Sequence, residues 1–219
     1  MSKMTEPEPR LSAAATGIAD SAGLRQPPPA PARATRTRVP AAERREELIA
    51  AAVHEFAHGG LHGTSVQRIA QRVGVAQPYV FALFGSKLEL FLAALDRSFD
   101  EVADAFRHAA SEYAAGRGPE DCEDTLEALG SSYRELLAND RDHLMLQHHA
   151  YAAACDDERV RARVRHRFAQ LVELARELSG APAERLDAFF CAGMALNVAA
   201  SLGVEDLSIS CPWVTDELT

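Results

Sequence analysis

Two capping boxes leave the middle of this chain little freedom in how it can fold. Thr64-Ser-Val-Gln67 predicts a helix start in which the Thr hydroxyl accepts from a free backbone N–H and the Gln reaches back, and Ser86-Lys-Leu-Glu89 predicts a second such start. Between them, Val66, Ile69, Ala70 and Val73 form one apolar face that Gly74 closes. After Gly74-Val75-Ala76, the segment Gln77-Pro78-Tyr79-Val80-Phe81-Ala82-Leu83-Phe84 reads as a short helix. Proline suits the first helical position and disfavours the α region for the residue before it, so Gln77 is the expected cap. Upstream, Leu48, Ile49, Ala52, Val53 and Phe56 recur at three-and-four spacing from Ala42 to Gly59-Gly60, which predicts a first helix.

Downstream, Leu90, Phe91, Leu95, Phe99, Val102 and Phe106 extend a long fourth helix from the second box. Further helices are expected at roughly 120–138, 141–154, 157–179 and 183–204, separated by Gly116 to Pro119, Asn139-Asp140, Asp156-Asp157 and Gly180-Ala-Pro182. No strand pattern competes, so the fold class is all-α. The segment 205–219, with Trp213, receives no element. Residues 1–41, with Pro-Pro-Pro-Ala-Pro at 27–31, predict an extended or disordered arm. The expected division is this arm, a head at 42–102 with a helix-turn-helix motif at about 65–84, and a body at 103–219.

Charge separates the same parts. The net charge is −9, yet Arg33 to Lys87 hold eight basic residues against four acidic ones, so the head and the end of the arm are positive on an acidic body. Such an asymmetry orients a molecule on a polyanion. The longest apolar run, Phe189 to Val204, includes Asn197 and Ser201 and falls short of the roughly 20 residues a bilayer span needs. Glu6, Glu8 and Asp20 interrupt the N-terminus, which is unlike a secretory signal, and a cytoplasmic protein without membrane contact is expected. Cys122, Cys155, Cys191 and Cys211 contain no close pair, which predicts neither a disulfide framework nor a zinc ribbon.

A helix, a short turn opened by glycine and a second short helix form the helix-turn-helix plan, which presents the second helix to a major groove. The residues then become specific. Leu48-Ile-x-x-Ala52, Phe56, Gly60, Gly63-Thr-Ser-Val66, Ile69-Ala70, Gly74-Val75, Phe84-Gly-Ser-Lys87 and Leu90 keep their spacing without gaps over residues 45–95 and resemble the N-terminal domain of the TetR/AcrR repressors. The resemblance implies a three-helix head joined through helix four to a helical ligand-binding and dimerisation body. It further implies double-stranded DNA as partner, a homodimer through helices 157–179 and 183–204, and release of a palindromic operator when a small apolar or amphipathic molecule binds the body.

The same resemblance sets Thr64 and the start of helix two against phosphates, Gln77 and Tyr79 at base edges, and Lys87 on the DNA backbone. Ser65, Gln67 and Pro78 belong to this expected surface, and Arg44 and Arg68 add phosphate contacts. Ala76, Phe81, Ala82 and Leu83 depart from the family pattern, where serine, tyrosine and polar or histidine residues are common. A recognition helix so poor in long polar side chains predicts heavier reliance on phosphate contacts, DNA shape and the arm. In that arm Arg33, Arg36 and Arg38 read either as a solvated linker or as minor-groove contacts.

In the body, Tyr113, Tyr133, His143, Gln147, His148 and Tyr151 are the candidate polar groups of an effector pocket. His54 and His58 have metal-ligand spacing, but no thiolate or carboxylate completes them at an evident distance in sequence, and Gly59-Gly60 breaks the helix before His62, so no metal and no cofactor is expected. The arginines at 159, 161, 163, 165 and 167 predict a solvated face that pairs with acidic residues across the dimer interface. A DNA binder without a small-molecule ligand is the alternative, and an enzyme lacks any recognisable phosphate loop, nucleophile elbow or metal motif.

Overall fold

A computed structural model of the protein describes residues 40–120 and 122–203. Among these residues run eight helices and no strand: α1 (Ala41–Gly63), α2 (Val66–Val73), α3 (Gln77–Phe84), α4 (Lys87–Ala114), α5 (Thr125–Asn139), α6 (Asp142–Ala154), α7 (Glu158–Ser179) and α8 (Ala183–Ser201). The arm arginines Arg33, Arg36 and Arg38 and the segment 205–219 lie outside the described residues. Among the described residues, no single helix is long and apolar enough to cross a membrane.

The three-and-four periodicities became the core. Leu48, Ile49, Ala52, Val53 and Phe56 of α1, Ile69 and Ala70 of α2, Val80 and Phe84 of α3, and Leu90, Phe91, Leu95 and Phe99 of α4 are all buried. Phe56 and Phe91 meet edge to face with ring centroids 5.0 Å apart, the arrangement that aligns a positive ring edge with a negative face. Head and body share one core: α4 runs unbroken through residues 102–103, and α1 packs on α6 as well as on α2 and α4.

Three local expectations are corrected. The Thr64 box does not form, because Ser65 is the N-cap of α2 and makes no side-chain cap bond. The Thr64 hydroxyl instead donates to the Glu55 carbonyl at 2.9 Å and is buried against α1. Thr64→Val keeps the shape and removes that bond, so it lowers unfolding free energy by about 1 kcal/mol, measured by denaturant titration. Gln77 is already helical, and Ala76, extended at φ −81° and ψ 141°, is the cap position, so Pro78 stands one residue further into the first turn, where an N–H would still lack a partner. The Ser86 box forms in its first half, with the Glu89 N–H donating to Ser86 Oγ at 3.1 Å. The carboxylate of Glu89 goes elsewhere, to Arg159.

That pairing belongs to the third correction. Arg159, Arg163 and Arg167 lie one turn apart on α7 and pair with Glu89, Asp96 and Asp100 of α4 within the same chain. Arg167 also lies over the Phe99 ring, 5.9 Å from its centroid, and Arg161 donates to the carbonyls of Ala154 and Cys155 at 2.8 and 2.9 Å. The alternating arginines look solvated in a linear sequence. On a helix, every second one of them falls on a single stripe, and that stripe faces the acidic side of α4. Burial raises the Asp96 carboxyl pKa against the opposing pull of Arg163 and Arg167.

Candidate nucleic-acid interface and effector cavity

α3 buries Val80 and Phe84 and turns Pro78, Tyr79, Phe81 and Ala82 outward, with Gln77 half-buried at its start. Tyr79 and Phe81 are 37% and 39% exposed. Gly74 closes α2 in the left-handed conformation at φ 73°, with its N–H bonded to the Gln71 carbonyl, so the turn into α3 is tight. The axes of α3 and α4 differ by 71°.

Around α3 the cations are held rather than loose. Glu55 of α1, only 7% exposed, forms an ion pair with Arg68 at 3.0 Å and accepts from Arg72 at 3.2 Å, which anchors both guanidinium groups beside α2. Arg44 is part-buried and donates to Glu47 at 2.6 Å and to the Val73 carbonyl at 3.4 Å. The Lys87 ammonium donates to the His62 carbonyl at 3.0 Å, and partial burial lowers its pKa. Ser65 and Gln67 are exposed at the start of α2. Eight of the nine candidate DNA-contact residues therefore have exposed or half-exposed side chains, and Thr64 does not. Glu55, which positions one of them, Arg68, together with Arg72, carried no sequence signal, since one acidic residue on an amphipathic helix is unremarkable.

In the body a cavity of about 90 Å³ opens between α4, α5, α6, α7 and α8. Phe99, Val102 and Phe106 form one wall, and Phe168, Leu171, Phe189 and Phe190 form another. Tyr133, Gln147 and Tyr151, three of the six polar residues singled out in the sequence, line it. The Tyr133 hydroxyl donates to Asn197 Oδ1 at 2.6 Å, and the Tyr151 hydroxyl lies 3.4 Å from Gln147 Oε1. Burial raises both phenol pKa values, so both stay neutral and keep a proton to donate.

The other three expected pocket residues are not among its lining. Tyr113 reaches the link after α4, where its hydroxyl donates to the Glu123 carbonyl at 2.8 Å. His143 stands near Asp140 at 3.7 Å, and its backbone carbonyl accepts from Ser98. His148 lies behind the wall, with Nε2 3.0 Å from the Asn197 carbonyl. Gln147 and Tyr151, one turn apart, share a face of α6; His143 stands one turn earlier on it and stays beside Asp140 at the start of the helix, whereas His148 is turned about 100° from Gln147. The aromatic walls went unseen because an apolar pocket face and a core face have the same periodicity.

Residues 48–94 match the family described as bacterial regulatory proteins, tetR family. The HTH-type transcriptional activator FasR of Mycolicibacterium smegmatis is 42% identical over 72 residues, 33% of this chain and 33% of that protein. The chain thus spans about a third of the length of that curated relative. A member of the TetR family from Streptomyces coelicolor superposes with a TM-score of 0.62 at 20% identity, covering 76% of this chain and 92% of that one. The multidrug binding protein EbrR, solved in complex with proflavin, superposes with a TM-score of 0.54 at 20% identity, covering 76% and 94%.

Proposed function

From the match of residues 48–94 to the tetR family of bacterial regulatory proteins, we propose that this protein is a DNA-binding transcriptional regulator, a homodimer that leaves its operator when a small apolar or amphipathic molecule enters the body. The observation that carries the DNA half is the outward set Gln77, Pro78 and Tyr79 on α3, flanked by the side-chain-uncapped start of α2 and by Lys87. Helix N-termini and ammonium groups attract phosphate, while glutamine and tyrosine read base edges. Two such helices on a two-fold dimer meet successive major grooves about 34–36 Å apart.

The dimer is supported by α8. Met194, Val198 and Leu202 follow one another at i, i+4, i+8 and are 49%, 44% and 68% exposed, an apolar stripe that a second copy would cover. With the arginine ladder of α7 turned toward α4, the outward face of that helix is free to pack beside the stripe.

The effector half rests on size. A cavity of about 90 Å³ is smaller than the roughly 150 Å³ apolar void that takes up benzene. A larger ligand binds only a conformation in which the surrounding helices have moved apart, and so favours that conformation. α6 lends Gln147 and Tyr151 to the cavity and packs against α1 of the head, so its displacement reaches the DNA-binding surface. Because binding is reciprocal, operator DNA weakens the ligand by the same factor. EbrR, which shares this fold, is a multidrug binding protein solved with proflavin bound. FasR is an activator, which favours a second reading in which the same docking recruits transcription instead of blocking it.

Footprinting on the DNA flanking the gene, at several salt concentrations, tests the proposal. A protected palindrome with a steep salt slope is expected, since phosphate contacts release counterions. Failure to protect any site among genome-wide selected fragments overturns the DNA half. A ligand that raises Tm without weakening the footprint overturns the release step alone.

A further inference from the structure

The seam between α1 and α6 holds a side-chain cluster that neither DNA docking nor the cavity uses. His54 and His58 lie one turn apart on α1, and Asp142 is the first residue of α6. His54 Nδ1 is 2.6 Å from Asp142 Oδ2, and His58 Nδ1 is 3.9 Å from Asp142 Oδ1. The two rings face each other at 4.6 Å between centroids, and one donor atom from each of the three residues lies within 4.8 Å of the others. The carboxylate missing from the sequence pattern is supplied from 88 positions away, while His62 takes no part.

We infer that His54, His58 and Asp142 form a site for a divalent transition-metal ion of the zinc class, bridging head and body. Two imidazole nitrogens and one carboxylate oxygen are a ligand set that zinc accepts, with a fourth position left to water. Metal–ligand bonds of about 2.1 Å put tetrahedral donors roughly 3.4 Å apart, and the present separations bracket that value. Binding exchanges two weak contacts for metal bonds: the His54–Asp142 hydrogen bond and the bond from His58 Nδ1 to the His54 carbonyl at 2.8 Å. The three side chains are 39%, 61% and 27% exposed, so an ion has a path in from solvent. Two ligands on α1 and one on α6 make the ion a cross-link between those helices. The site stands whether or not the head binds DNA.

The test is titration of the full chain, stripped of metal, with Co²⁺ followed by displacement with Zn²⁺. One Co²⁺ per protomer is expected, with the strong ligand-field absorption of a four- or five-coordinate ion and a rise in Tm on adding Zn²⁺. His58→Gln and Asp142→Asn weaken binding by at least about 10-fold and abolish the Tm rise. His58 is largely exposed, so the metal-free His58→Gln protein melts with the wild type and a lost signal is not a folding defect. Absence of binding, a thiolate-to-cobalt charge-transfer band, or affinity unchanged in both variants overturns the inference.

Discussion

Replacing Gln77 and Tyr79 together by alanine lowers operator affinity by about 2 kcal/mol or more, roughly 30-fold, because a well-placed base-edge contact is worth about 1–3 kcal/mol. The effect is large for this chain in particular. Phe81, Ala82 and Leu83 complete the outward and flanking positions of α3 without a hydrogen-bonding group, so few other side chains can read a base. Arg68 and Arg72 are already bound to Glu55, and guanidinium groups held in this way would present charge to phosphates, which does not distinguish sequences. The double variant should therefore lose specific binding and keep its weak, salt-sensitive non-specific binding. Neither side chain makes a hydrogen bond among the described residues, so unfolding free energy changes by no more than about 0.5 kcal/mol. Gel shifts on operator and on unrelated DNA, with urea titration as control, measure both. Operator affinity within threefold of wild type would mean that α3 does not read the DNA.

What the sequence made legible was everything carried by short-range rules. Apolar spacing located each helix of the head to within a few residues and selected most of the buried side chains of α1 to α4, though not Glu55 and Ala57 of α1 or Leu92, Ala94 and Ser98 of α4. What it hid was everything that depends on which elements meet. Thr64 has the form of a cap, but its hydroxyl donates to the Glu55 carbonyl because α1 lies beside it, and this tertiary acceptor takes the place of the local N–H donor. The alternating arginines of α7 belong to a ladder only because α4 offers Glu89, Asp96 and Asp100 along its flank. Asp142 is likewise invisible as a partner of His54 until α6 is laid on α1. In the cavity, Tyr133, Gln147 and Tyr151 could be named as polar candidates, whereas Phe106, Phe168 and Phe189 are indistinguishable in sequence from any core phenylalanine.

Two of these long-range features, the seam with α1 and the cavity lining, meet on α6. One face carries Gln147 and Tyr151 into the cavity, and Gln147 Nε2 lies 3.4 Å from Ser98 Oγ on α4. Another face sets Asp142 and His149 against α1. On the proposed mechanism, a ligand that pushes on the first face also displaces the second, since packed interiors shift between discrete arrangements and do not deform continuously.

Gly60→Ala strikes this seam and should cost about 3 kcal/mol, lowering Tm by roughly 6–12 °C for a chain of this size. Gly60 sits at φ 62° and ψ −176°, a region open in practice to glycine alone, and forcing another residue into it costs about 1–3 kcal/mol. A Cβ there would also lie 2.8 Å from Nδ1 and 3.3 Å from Cγ of His149, so the ring on α6 must move as well. The two contributions separate in a cycle with His149→Ala. Removing the ring relieves the collision and leaves the backbone strain, so the double variant should be more stable than the sum of the single effects predicts, by about 0.5–1.5 kcal/mol. Because the substitution loosens α1 from α6, it should also narrow the difference in operator affinity with and without a cavity ligand, although neither the cavity nor α3 has changed. A Tm within a degree of wild type would show that α1 does not break at Gly60. Strict additivity with His149→Ala would place the whole cost in the backbone and remove His149 from the path between cavity and head.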